Sequence, residues 1–127
     1  YSEILENFAA LAKHLDLHPK AKLHPLLSGK PAKRMVDDLS RLGIEVVEGG
    51  IKEVLRSYNT FATVSSGSGV ECLCEGKPIY ILGRPSYRDC GNQVVFDDGK
   101  IEIIPPSMKV NDFLSQYYLV DKTMEQA

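Results

Sequence analysis

The sequence lacks a charge excess of either sign: 15 Lys and Arg stand against 17 Asp and Glu, a formal net charge of -2. A general nucleic-acid binder carries a basic surplus gathered on one face, so no nucleic-acid partner is expected. Long apolar runs are missing too. None approaches the ~20 residues that cross a bilayer, and no charged-then-apolar signal segment opens the chain, which makes the cytosol the expected working compartment. Cysteine is sparse and odd in number. Cys72, Cys74 and Cys90 have no CxxC spacing, which argues against both a disulfide scaffold and a structural zinc. They read as reduced thiols, two of them packed in the core. No internal repeat, low-complexity segment, metal-ligand cluster or Ser-His-Asp arrangement is present, and no cofactor or metal is expected.

What is present is an average globular composition, 43% hydrophobic and 25% charged over 127 residues, enough for one hydrophobic core and too short for two ordinary domains. A single domain spanning residues 1–127 is expected. The chain starts at Tyr1 rather than at methionine, so it is expected to be a piece of something longer.

Apolar positions Ile4, Leu5, Phe8, Leu11, Ala12 and Leu15 recur at spacings of three and four and predict a helix over 1–16 with Ser2 as its N-cap. Lys20 to His24 predicts a short strand stopped by Pro25, and 26–31 a loop. Met35, Val36, Leu39 and Leu42 predict a second helix over 32–42 that Gly43 ends. Ile44 to Glu48 reads as a strand, Ile51 to Tyr58 as a short helix, and Thr60 to Val64 as the third strand. Val70 to Glu75 then opens a helix ended by Gly76, and Pro78 to Leu82 is the fourth strand. After a loop over 84–91, Gln93 to Phe96 and Lys100 to Ile104 flank Asp97-Asp98-Gly99, a hairpin turn. Ser107 is placed to cap a last helix presenting Val110, Phe113, Leu114, Tyr117 and Tyr118 to the core. Strands joined by helices of about ten residues imply βαβ crossovers, hence an α/β fold: a doubly wound, mostly parallel sheet with helices on both faces. Ligands of such sheets bind beyond the carboxyl ends of the strands.

Two groups follow strands in that way. The stronger is Ser65-Ser66-Gly67-Ser68-Gly69, between the third strand and the next helix. Glycines let the backbone turn sharply and approach a ligand, while the first unpaired N–H groups of the helix attract an anion and serine hydroxyls add donors. A capped helix after a flexible turn explains the same residues. The segment is neither a Walker loop nor a complete GxGxxG fingerprint. Glu71, three residues after Ser68, fits either a capping box or an acid that accepts hydrogen bonds from ribose hydroxyls. The second group is His24-Pro25: proline restricts the backbone before it, aiming the imidazole at the rim, where it can donate to a phosphate oxygen. Arg84, with Tyr87 and Arg88, follows the fourth strand and can offset ligand charge there. His14 reads as a solvated helix residue, His18 as part of a connecting loop, and Asp97 and Asp98 as turn formers.

Taken in order, Lys22-Leu23-His24-Pro25, then Ser65-Ser66 with Glu71, then Gly76-Lys77-Pro78-Ile79 and Leu82-Gly83-Arg84-Pro85-Ser86-Tyr87 resemble the bacterial capsule polysaccharide biosynthesis family. That family includes transferases of the acidic eight-carbon sugar Kdo from its CMP-activated donor. The match covers roughly residues 20 to 92 with short motifs. The resemblance implies a glycosyltransferase of the GT-B type, with this chain as its Rossmann-like, C-terminal, donor-binding half. It implies a CMP-sugar as the favoured ligand, a polysaccharide or lipid-linked acceptor, and a partner lobe on the N-terminal side, and it leaves open a peripheral place at the inner membrane for the full-length protein. By position, His24, Ser65 and Ser66 would contact the donor phosphate and nucleotide; Gly67, Ser68 and Arg84 join them as binding candidates from their places after the third and fourth strands. Glu71 would hold the nucleotide's sugar, and Gly76-Lys77-Pro78 would be a tight turn feeding the next strand. The residues include no second lobe, where the acid or base acting on the acceptor is expected, so no catalytic residue is assigned. The segment after Tyr87 departs from the pattern. Two other readings stay open: a CDP-glycerol-type polyol-phosphate transferase of teichoic-acid synthesis, whose HP and serine elements are similar, and a non-catalytic regulatory α/β module.

Overall fold

A computed structural model describes residues 2–23, 28–64 and 67–114. The chain forms two compact units, residues 1–53 and 54–127. The first holds α1 (Ser2–His14), β1 (Lys20–Ala21), α2 (Gly29–Arg41) and β2 (Glu45–Val46). β1 and β2 pair in parallel, Lys20 opposite Glu45 and Ala21 opposite Val46, so α2 is the crossover that a parallel pair requires. The Val47 amide extends the pairing by donating to the Ala21 carbonyl at 2.9 Å. Leu11, Ala12, Leu39 and Ile44 form the buried apolar set of this unit.

Both helices of this unit end for a legible reason. At α2, Gly43 takes φ +74°, its amide donates to the Ser40 carbonyl at 3.0 Å and the Ile44 amide to Leu39 at 2.8 Å. That is the Schellman closure, and its apolar pair, Leu39 and Ile44, is buried at 2% exposure each. At α1 the same two bonds run from Asp16 to Lys13, 3.1 Å, and from Leu17 to Ala12, 2.9 Å. Here an aspartate, at φ +56°, occupies the left-handed position. Helix α2 starts three residues earlier than its apolar spacing predicts, taking in Pro31, because proline lacks a donor only where the first turn has none to use. The first two strands are shorter than predicted, two residues each.

Helix α3 (Ile51–Ser57) runs from the end of the first unit into the second, which continues with β3 (Phe61–Thr63), α4 (Ser68–Cys74), β4 (Ile79–Ile81), a 3-10 turn at Arg88–Cys90, β5 (Asn92–Asp97), β6 (Lys100–Ile104) and α5 (Val110–Leu114). Its sheet has the order β3-β4-β5-β6. The first two pairings are parallel and the last is antiparallel. The molecule is therefore a small α/β protein; among the described residues it has one mixed and one parallel sheet, and the four-stranded sheet follows chain order. Asp97-Asp98-Gly99 closes the hairpin as expected: Asp97 pairs with Lys100, and Asp98 and Gly99, at φ +47° and +79°, form the two-residue loop in which both residues need positive φ. β5 runs past β4, since Ile81 ends opposite Gln93.

Ser107 does not cap the last helix, which begins at Val110. Its amide donates instead to the Asp89 carbonyl at 2.8 Å, as does that of Met108 at 3.1 Å, fastening this segment to the 3-10 turn. Phe113 is buried; Tyr117 and Tyr118 lie outside the described residues. Among the described residues no helix is long and apolar enough to cross a membrane.

Candidate functional site

The parallel pair β3–β4 is joined through α4, so the start of α4 and the segment leaving β4 both lie at the carboxyl edge of these strands. Gly83 brings the two strand ends together. A Cβ there would collide with the Val64 backbone carbonyl and stand 2.8 Å from a Val64 methyl, so only glycine permits this approach. Tyr87, reached four residues later, turns back over the edge. It is 3% exposed, shares a side-chain hydrogen bond with Thr63, the last residue of β3, and lies against Gly69 in the first turn of α4. A Cβ on Gly69 would overlap the Tyr87 hydroxyl and stand 2.5 Å from its Cζ. Burial pushes the Tyr87 hydroxyl above its ordinary value of 10.0, against the opposing effect of the Thr63 bond. The phenol is thus a neutral wedge that holds the loop after β4 to the opening of α4.

Of the residues predicted for the site, Gly67, Ser68, Glu71 and Arg84 belong to this rim; His24, Ser65 and Ser66 lie outside the described residues. Gly67 is the N-cap of α4, in helical conformation and without a side-chain capping bond. Ser68 is then the first helical residue, so the Ser68–Glu71 spacing does not make a capping box, which needs the hydroxyl one position earlier. Glu71 is exposed in the first turn, and its carboxylate has no hydrogen-bond partner among the described residues. Arg84 is exposed as well. Arg88 forms an ion pair with Asp89 at 3.9 Å.

The Gly76-Lys77-Pro78 turn follows α4 with a third Schellman closure: Gly76 at φ +72°, its amide to Leu73 at 3.0 Å and that of Lys77 to Cys72 at 3.1 Å. Lys77 Nζ donates to the Tyr58 carbonyl at 3.3 Å and to Asn59 Oδ1 at 3.4 Å, tying the turn to the chain that leaves α3.

Cys72 and Cys90 are buried and Cys74 is exposed, all three as free thiols. Burial raises Cys72 above the ordinary 9.0, and the Glu71 carboxylate adds to that. Cys90 is raised by burial first, then by Asp89 and Asp112. A nucleophilic thiol needs the opposite shift, so these two are packing residues. Among the described residues no group of three His, Cys, Asp or Glu side chains could hold a metal.

The residue that sequence reasoning undervalued is Tyr87, read only as a companion of Arg84 and Arg88. Its signal was indirect, in the two glycines that leave room for it and for the strand ends. No family model, curated protein or solved structure matches the chain.

Proposed function

We propose that this chain is the donor-nucleotide-binding half of a glycosyltransferase of surface or capsule polysaccharide synthesis, a doubly wound Rossmann-like lobe with a CMP-sugar such as CMP-Kdo as its favoured ligand. One observation carries the reading: Gly69 and Gly83 have no room for a side chain and Tyr87 locks the loop after β4 against the start of α4, at the strand edge where α/β sheets take ligands. Such a rim supplies backbone N–H donors and the nearby Arg84 guanidinium to a phosphate, with Glu71 free to accept hydrogen bonds from ribose hydroxyls. Its order of motifs supports the same assignment through the resemblance to the capsule family. In this reading the lobe stabilises the departing nucleotide as an anion while an acceptor hydroxyl attacks the sugar. The groups acting on the acceptor belong to a second lobe.

Isothermal titration of CMP, CDP and UDP tests the proposal, with CMP expected to bind best. His24→Ala and Glu71→Ala should each weaken binding by about 1–3 kcal/mol, the range for a charge-assisted contact. A folded chain that binds none of the three nucleotides refutes it.

A further inference from the structure

From Leu17 to Val36 the sequence carries Lys20, Lys22, Lys30, Lys33 and Arg34 and no Asp or Glu, although acids outnumber bases in the whole chain. Three of the five fall in the first two turns of α2, at the positively polarised end of the helix, where cations are disfavoured. That first turn contains no acid. Lys30, Lys33 and Arg34 are spaced to share one face and all are exposed, while Leu39, half a turn away, is buried. The side chains of these three have no ion-pair or hydrogen-bond partner among the described residues. Asp37 stands four residues after Lys33 and Asp38 four after Arg34, yet Asp38 pairs with Arg41 instead. Charge is therefore balanced at the end of α2 and unbalanced at its start. Lys22, just past β1, belongs to the same end of this βαβ unit because β1 and β2 are parallel.

We propose that this cationic face of α2 docks the protein on an anionic lipid bilayer. The shape favours a planar partner. The three cations project from the exposed outer face of a helix. A flat array of lipid phosphates meets all three cations at once, whereas a small anion needs a concave site. Val36, 38% exposed beside the stripe, adds an apolar side chain of the size that reaches the headgroup layer. The inference does not depend on the donor-site reading.

The test is cosedimentation of the full chain with vesicles of phosphatidylcholine alone or of phosphatidylcholine mixed with phosphatidylglycerol. The chain should partition onto the anionic vesicles only, and less so as salt screens the charges. The combined Lys30→Gln, Lys33→Gln, Arg34→Gln variant should lose roughly a hundredfold in partitioning, about fivefold per cation removed. Lys100→Gln with Lys109→Gln, exposed cations of the second unit, should stay near the unaltered chain. Circular dichroism checks that α2 persists; if the triple variant unfolds, single substitutions that each cost about fivefold carry the same test. Undiminished binding by the folded triple variant, an equal loss in the second-unit variant, equal binding to neutral vesicles, or binding to soluble polyphosphate with none to vesicles would overturn the proposal.

Discussion

Gly69→Ala probes the rim directly, because the side chain it adds is aimed at Tyr87. The new methyl would overlap the hydroxyl and stand 2.5 and 2.7 Å from Cζ and Cε2, well inside carbon–carbon contact distance. Tyr87 is a side chain, but not one that swings clear: it is 3% exposed and hydrogen-bonded to Thr63. Overpacking of this kind costs about 1–3 kcal/mol. Replacing glycine by alanine within a helix returns up to ~1 kcal/mol, less in the first turn. The net expectation is a loss of about 1–2 kcal/mol, measured by urea denaturation followed by far-ultraviolet circular dichroism. A double-mutant cycle isolates the cause. Tyr87→Ala alone should cost about 3–5 kcal/mol as a buried aromatic, yet in that background Gly69→Ala should be neutral or stabilising. Gly69→Ala that stabilises the unaltered chain, or costs the same with and without Tyr87, would show that the wedge does not exist.

Gly83→Ala should be as damaging or more so, about 2–3 kcal/mol, because its methyl meets the Val64 backbone rather than a side-chain tip; retained stability in the same denaturation assay counts against the strand approach. Asp16→Gly should stabilise by about 0.5–1 kcal/mol, since it relieves a left-handed aspartate and removes a negative charge from the end of α1, read as a raised Tm. Cys72, Cys90 and Tyr87 keep their protons longer in the folded state than in the unfolded chain. Their contribution is whole below the ordinary thiol value of 9.0 and is lost as pH rises above it, so Tm should fall on the alkaline side. Cys72→Ala should make that fall shallower. With a thiol reagent at neutral pH one cysteine, Cys74, should react quickly and the two buried ones only on unfolding; fast labelling of all three would contradict their burial.

The sequence by itself determined the succession of helices and strands, because periodicity and punctuation are local properties. Gly43 and Gly76 mark helix ends through positive φ, and Asp98-Gly99 marks the hairpin through the twist its strands demand. It also implied that two of the three thiols are buried without saying which; the structure shows them to be Cys72 and Cys90. The start of α2 was less legible: Pro31 looks like a stop, and only its place in the first turn makes it harmless. Ser107 has the chemistry of a cap, but an amide that finds the Asp89 carbonyl across the fold leaves the helix to begin later. Tertiary structure alone decided which of the other strands pair, the division into two sheets, and the wedge of Tyr87 between Thr63 and Gly69. The physical reason is range. A helix end is fixed by atoms within six residues, whereas the close approach of Gly83 to Val64, or of Gly69 to Tyr87, joins backbone segments whose separation in sequence carries no signal of their contact.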